Sequence, residues 1–455
     1  MNNFQNKVIS ISGPSGVGKT SIANLIMCVL GKDSLILSGD DSHRWERGDP
    51  KWRVYTHLNP AANNLESEKK SLLDLKDNKP IARKHYNHNT GKFDKEKIIA
   101  PKSHIIYEGL HTLYDIQLQN LADLKIYVDT DEELKLAWKM KRDLKERGYT
   151  KDQVISAIKK RSPDEKKYIL PQRKSADVIV KFKFSESGIL FDYELRDASY
   201  RSFFESVKRL YYLKVDFIRT CKALGGDDSL VQGSGGNVSV KYDHLMMITS
   251  SGIKLNDVGV FKNCCIQGDD GEILAGSGRP SMEFESHRYL QRATVHTHPL
   301  GLLTLLCSVE AKEIIEKLYH DYDYTFVDYI TPGDAVAEHI KNMTYTPKVI
   351  FLQNHGLFVT GSDLADCYKD TVAINQIASD YIDSFRIEHD MKVPAEIQPL
   401  FPDAAVFSEQ NKNINLSIYQ DIVCSGLTPR FLSSSDIDQL LNLESEKYRM
   451  SITQK

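Results

Sequence analysis

The sequence predicts an α/β protein in two parts: a parallel sheet with helices on both faces, then a second α/β region built to another plan. Three observations predict it. Short β-branched runs alternate with helical segments through residue 180. The alternation stops at the turn signal Ser185-Glu186-Ser187-Gly188. A long amphipathic stretch, 200–224, then leads into Gly-rich turns and short strands.

The elements follow in order. Residues 7–12 (KVISIS) read as a buried strand, 13–20 as a Gly-rich turn and 21–30 as a helix. Further strands are expected at 35–38, 104–107, 124–128 and 178–180. Helices are expected between them at 65–76, 131–147 and 151–161. Beyond the helix at 200–224, strands are expected at 238–241, 245–249, 294–298 and 349–353. The boundary falls between about 185 and 205, giving expected domains 1–195 and 196–455.

Composition agrees with two soluble domains. The chain has 455 residues, 41% hydrophobic and 27% charged, enough for each half to bury a core. A net charge of -3 gives no electrostatic footprint for nucleic acid or an anionic membrane. The polar start, Met1 to Lys7, does not read as a signal peptide, and no run approaches the roughly 20 apolar residues of a membrane span. The seven cysteines show no C-x-x-C spacing, and Cys264 and Cys265 are adjacent, which predicts reduced thiols in a cytoplasmic protein.

Gly13-Pro14-Ser15-Gly16-Val17-Gly18-Lys19-Thr20 is a complete Walker A motif between a strand and a helix, the mark of a P-loop NTPase sheet. Gly13, Ser15, Gly16 and Gly18 let backbone N–H groups approach the phosphates of ATP. Lys19 is expected to reach the β/γ-phosphates, and the Thr20 hydroxyl to ligate Mg²⁺.

Downstream, GDDSHRWER (39–47), LNPAANN (58–64), YNHNTG (86–91), IIYEGLH (105–111), AWKMKRDLKERG (137–148) and RSPDEKKYILPQRKSADVIV (161–180) resemble the phosphoribulokinase and uridine kinase family. The resemblance implies that Asp40 is the general base. His43 and Arg47 would contact the sugar phosphate, and Glu108 would help hold Mg²⁺. Lys139, Arg142 and Arg147 would surround the transferring phosphoryl group. His85 and His88 read as loop residues rather than ligands.

In the second part, His296 and His298 flank Thr297 in ATVHTHP. On a strand, such i, i+2 residues share a face and can bind one ion. His355, after an apolar strand in FLQNHGLF, would be the third ligand and leave an open position for substrate. Three imidazoles suit a divalent ion such as Zn²⁺. Glu283 and Glu285, in RPSMEFESH (279–287), are rival acid/base carboxylates. Two turns, 232–239 and 249–252, are candidate anion nests.

Together these features resemble the class II aldolase and adducin superfamily over about 205–365, and more loosely through NLESEKYR (442–449). The resemblance implies a central, mainly antiparallel sheet. His296, His298 and His355 would be the metal ligands and Glu283 the acid/base. Asn237, Ser251, Gly252 and Ser281 would bind a substrate phosphate. Met282 stands where several aldolases carry a second Ser. The resemblance also implies a homo-oligomer formed through this domain, with Tyr329 and the region 322–337 as candidates for a residue lent to a neighbouring subunit. The expected function is an ATP-dependent sugar or sugar phosphate kinase fused to a metal-dependent aldolase. The alternatives for the second half are an epimerase, dehydratase or decarboxylase of the same superfamily, or a non-catalytic oligomerisation domain.

Overall fold

The structure, a computed structural model, describes residues 7–145, 148–186, 188–386, 394 and 397–453. The chain divides into two compact units, Met1–Tyr212 and Leu213–Lys455, and the division falls within the helix Arg201–Gly225. No helix among the described residues is long and apolar enough to cross a membrane. Cys264 and Cys265 are buried thiols.

The first unit is built on six strands: β1 (Lys7–Ser12), β2 (Ser34–Ser38), β3 (His104–Glu108), β4 (Leu124–Thr130), β5 (Val178–Ser185) and β6 (Gly188–Leu195). Their order is β6-β5-β4-β1-β3-β2, and all ladders are parallel except β5–β6. Val8, Ile9 and Ile11 of β1 are fully buried, as a central strand covered on both faces requires. The turn signal at 185–188 therefore marks the tip of an edge hairpin that pairs Gly188 with Ser185, so the sheet extends one strand beyond the predicted set.

This strand order places the chemistry. The chain leaves β1 into the Walker turn, β2 into Gly39–Ser42 and β3 into Gly109. Because β1, β3 and β2 are parallel neighbours, their carboxyl ends lie together. The turn leaves β1 close against β4: a Cβ on Gly13, at φ 147°, would lie 2.5 Å from the Val128 carbonyl oxygen. Buried Gln172 fastens the same region. Its Oε1 accepts from Ser12 Oγ (2.7 Å) and Leu113 N (3.0 Å), and its Nε2 donates to the carbonyls of Leu110 and Tyr168 (both 2.8 Å).

The second unit holds an eight-stranded sheet. Its strands are β7 (Asn237–Tyr242), β8 (Leu245–Thr249), β9 (Cys264–Gly268), β10 (Ile273–Gly276), β11 (Ala293–Thr297), β12 (Tyr324–Val327), β13 (Val349–Leu352) and β14 (Gly356–Gly361). The order is β10-β9-β8-β7-β11-β14-β13-β12, antiparallel throughout except β12–β13. Register sets Asn237 opposite His296, and His296 opposite Phe358. The long helix Leu364–Phe385 packs on β11 and β14 and buries Ile374 and Ala378.

Gln172→Leu removes four hydrogen bonds while keeping side-chain bulk. It leaves the Leu113 N–H and two carbonyls unmet, so it is expected to destabilise the protein by about 3 kcal/mol. A urea titration checks this; the midpoint falls while the slope m is unchanged.

Candidate functional site

The first cluster lies at the carboxyl ends of β1, β2 and β3. Lys19 opens the helix Lys19–Leu30, and its ammonium donates back to the carbonyls of Gly13 (3.0 Å) and Pro14 (2.8 Å). Burial lowers its pKa, against the opposing charges of Glu108 and Asp40. Thr20 Oγ1 donates to Glu108 Oε1 at 3.2 Å. Burial pushes the Glu108 carboxyl up to about 7, with Lys19 acting against it. A hydroxyl and a carboxylate this close at the mouth of a P-loop form an oxygen donor set suited to Mg²⁺.

Asp40 sits in the short turn after β2, its N–H donating to Ser38 Oγ at 3.3 Å. Burial would raise its carboxyl. The hydrogen bond from His88 Nε2 (2.9 Å) and the charge of His43 outweigh burial and hold it well below the usual carboxylate range. His43 Nε2 lies 4.0 Å from Asp40, while its Nδ1 donates to Asn63 Oδ1 at 2.8 Å. Arg47 is occupied by structure: its guanidinium donates to the carbonyls of His88 and Asn89, and so supports the hairpin that carries His88.

The helix Glu132–Lys145 lies over the P-loop; a Cβ on Gly16 would be 3.5 Å from Lys139 Cβ. Buried Asp143 organises the two basic side chains, with Oδ2 3.7 Å from Lys139 Nζ and Oδ1 accepting from Arg142 Nε at 3.0 Å. Arg142 Nη2 is buried with no hydrogen-bond partner. Arg147 lies outside the described residues. Sequence reasoning missed His88, which was set aside as a loop residue, and Asp143, whose spacing of four from Lys139 was the available signal.

The second cluster lies in the C-terminal unit. His296 is on β11, His298 lies just past its end, and His355 lies in the turn between β13 and β14. The predicted strand thus stops one residue short of His298, where Pro299 ends the ladder. That turn is fixed by Asn354, which takes φ 54° and donates to the carbonyls of Leu400 (2.8 Å) and Arg430 (2.6 Å). The three imidazoles converge, each with a ligand nitrogen within 4.8 Å of the others, and His296 Nε2 lies 3.1 Å from His298 Nε2. Burial drives the His296 imidazole well below its ordinary value and His355 down to about 3, so both are neutral, the form that binds metal.

Glu283, at the start of the helix Phe284–Tyr289, closes the cluster. Its Oε2 lies 3.2 Å from His296 Nε2 and its Oε1 lies 3.5 Å from His355 Nε2. Glu283 Oε1 and His355 Nδ1 are buried without hydrogen-bond partners. Three converging imidazoles beside a buried carboxylate fit one divalent cation. Glu285 instead pairs with Arg288 at the surface.

Asn237, Ser251, Gly252 and Ser281 share a cavity with Glu283, His298 and His355. The backbone N–H groups of Ser251 and Ser281 already bond the carbonyls of Arg279 (2.8 Å) and Thr249 (3.0 Å). These two N–H groups are therefore not free to form a backbone nest, and what the two residues have left to offer is their hydroxyls. Asn237 Nδ2 donates to Glu283 Oε2 at 2.7 Å.

Asp403 escaped the sequence reading, and Glu446 and Arg449 lie in its loosely matched NLESEKYR stretch without an assigned role. Asp403 lies 3.5 Å from His298 Nδ1, a carboxylate placed to orient that imidazole. Arg449 donates to Asp403 (2.9 Å) and Glu446 (2.9 Å), both lining the same cavity. Burial would raise Asp403, but Arg449 and His298 hold it well below the usual range; burial pushes Glu446 up to about 7 despite Arg449. Tyr329 packs among Val406, Phe407, Leu432 and Leu440, with its hydroxyl buried.

Residues 8–185 match the phosphoribulokinase / uridine kinase family, and residues 215–382 match the class II aldolase and adducin N-terminal domain. The first part is 35% identical over 174 residues to phosphoribulokinase from Synechocystis sp., covering 38% of this chain and 52% of that one. It is 35% identical over 188 residues to uridine kinase from Ligilactobacillus salivarius, covering 40% of this chain and 88% of that one. The chain spans about half the length of the phosphoribulokinases it matches. Among solved structures, a sugar-phosphate aldolase from Thermotoga maritima aligns at 19% identity and a TM-score of 0.35, over 40% of this chain and 99% of that one.

Two outcomes are expected from these sites. Elemental analysis of the purified protein should find one divalent ion per chain beyond any Mg²⁺ of the first cluster, and His296→Ala should lose it. Substituting His88→Ala should raise the Asp40 pKa, because it removes the largest effect that lowers it. The acid limb of any activity that needs ionised Asp40 then moves to higher pH, as a pH–rate profile would read.

Proposed function

Because the N-terminal part of this chain belongs to the phosphoribulokinase / uridine kinase family, and its C-terminal part carries a class II aldolase-like domain, we propose a bifunctional carbohydrate enzyme. The first unit transfers the γ-phosphoryl group of ATP to a hydroxyl of a sugar or sugar phosphate. The second cleaves or forms a carbon–carbon bond in a phosphorylated sugar. The observation that carries the reading is the buried Glu283 carboxylate set against His296 and His355, in the cavity that Ser251 and Ser281 line.

In the first unit, Asp40 takes the acceptor proton as its hydroxyl attacks. Lys19, Lys139 and Arg142 neutralise charge on the transferring group, and Thr20 and Glu108 hold Mg²⁺. Asp40 suits the role because His88 and His43 keep its carboxylate ionised. His43 and Arg47 contact the sugar phosphate in this assignment, and Arg147 joins Lys139 and Arg142 around the transferring group.

In the second unit, His296, His298 and His355 would hold a divalent ion, most simply Zn²⁺, which would supply Lewis acidity toward the substrate carbonyl. Glu283 moves the proton on carbon or oxygen as the bond breaks. Asn237, Ser251, Gly252 and Ser281 surround the substrate's phosphate end. This unit also carries the self-association of the chain. The product of the first reaction, a phosphorylated ketose, has the anionic group that the hydroxyl-lined cavity receives, so the two reactions run in sequence.

Lys19→Ala in the full-length protein is expected to abolish ATP-dependent phosphorylation while bound metal and carbon–carbon bond cleavage stay unchanged; His296→Ala should do the reverse. The Lys19→Ala protein, given chemically prepared ketose 1-phosphates and the free ketoses without ATP, should turn over only the phosphorylated set. Equal turnover of both sets, or of neither across a broad panel, would overturn the consecutive reading.

A further inference from the structure

His287 lies four residues after Glu283 in the same helical turn and is 0% exposed. It does not line the cavity that Asn237 and Glu283 share. Both ring nitrogens are nevertheless engaged: Nδ1 with Ser239 Oγ at 2.6 Å, and Nε2 with Asn237 Oδ1. Ser239 is fully buried, and Asn237 and Glu283 are nearly so, so water does not complete these bonds. Burial pushes the imidazole down to about 3, so the ring carries one proton.

Donor and acceptor parity fixes where that proton is. The Asn237 amide turns its NH₂ to Glu283, Nδ2 donating to Oε2 at 2.7 Å. The amide oxygen must then face His287, and an amide oxygen only accepts. His287 Nε2 therefore carries the hydrogen, Nδ1 is bare, and the Ser239 hydroxyl donates to it. Each link allows one polarity, so Ser239, His287, Asn237 and Glu283 form a directed chain.

We propose that His287, held as the Nε2–H tautomer, is a positioning residue that locks the Asn237 amide onto Glu283 Oε2 and reserves Glu283 Oε1 for the substrate proton. This rests on the acid/base role proposed above for Glu283. Oε2 receives the Asn237 donor, whereas Oε1 is buried with no hydrogen-bond partner. When Glu283 acts as base, a substrate C–H bond breaks, an O–H bond forms at Oε1, and the electron pair stays on the substrate as an enediolate. The assignment also gives Asn237 a task distinct from phosphate binding. Without His287 the amide is free to turn over and set its oxygen against the carboxylate, a repulsive contact that would swing Glu283 out of line.

The experiment uses full-length protein and dihydroxyacetone phosphate in deuterated water, reading deuterium incorporation beside the carbonyl. Gln places its amide nitrogen where Nε2 lies, whereas Asn places it where Nδ1 lies. His287→Gln is therefore expected to keep kcat within about threefold, while His287→Asn loses roughly ten- to a hundredfold in kcat with KM and bound metal unchanged. Equal loss in both variants, or loss in neither, overturns the relay. Nitrogen-15 spectra of the wild-type imidazole test it without any turnover: a bare Nδ1 supports it, and a proton on Nδ1 sinks it even if the variants do not fold. Wild-type protein that binds metal but exchanges no deuterium overturns the aldolase reading, and the spectra then decide the relay separately.

Discussion

Burying a carboxylate costs several kcal/mol unless other groups replace its water, and Glu283 is 4% exposed. Much of the C-terminal unit can be understood as the answer to that cost. Asn237 reaches Glu283 because register on β7–β11 sets it opposite His296, the residue that approaches the same carboxylate oxygen. Gly236 makes the entry to β7 possible: at φ 70°, a Cβ there would lie 2.9 Å from the His296 carbonyl oxygen. His355 arrives through a turn that the left-handed Asn354 and its two carbonyl contacts help hold in place. Displace any of these and the carboxylate is left buried and under-bonded.

A second layer of charge lies behind the imidazoles. Asp403 stands against His298, and Arg449 balances Asp403 and Glu446. These residues come from the C-terminal helices, far along the chain from the histidines they support. The ion pairs are buried, so removing one partner would strand a charge, whereas the intact set fixes ring orientation more than it adds stability. Ile452 reinforces the arrangement by packing where Gly252 has no side chain.

The N-terminal unit meets the same constraint with different parts. Asp40 and Glu108 sit at the ends of neighbouring parallel strands, and burial acts on both in the same direction. Asp40 is kept ionised by His88 and His43, while Glu108 relies on Lys19 and Thr20 and is pushed up to about 7. Under the roles proposed above, the difference follows from chemistry. A carboxylate that takes a proton from an acceptor needs its charge in place beforehand, whereas one that helps hold a cation gains its compensation when the cation binds.

The Walker turn, the alternating strands and the pair His296 and His298 were legible in the sequence because each is local. A glycine pattern, a period of two or a spacing of two residues carries its own geometry. The residues alone leave Glu283 and Glu285 as rivals and the family motif picks Glu283; the fold sets Glu283 against the histidines and Glu285 against Arg288 at the surface. His88 looked like any loop residue until the hairpin that Arg47 supports brought it to Asp40. Asp403 and Arg449 carried no spacing signal at all, being 105 and 151 residues from His298 by sequence number. Sequence fixes which groups are available and which turns the backbone must take. Which buried charge meets which partner is decided by strand register and helix packing, because a carboxylate out of water takes its partners from whatever the fold places beside it.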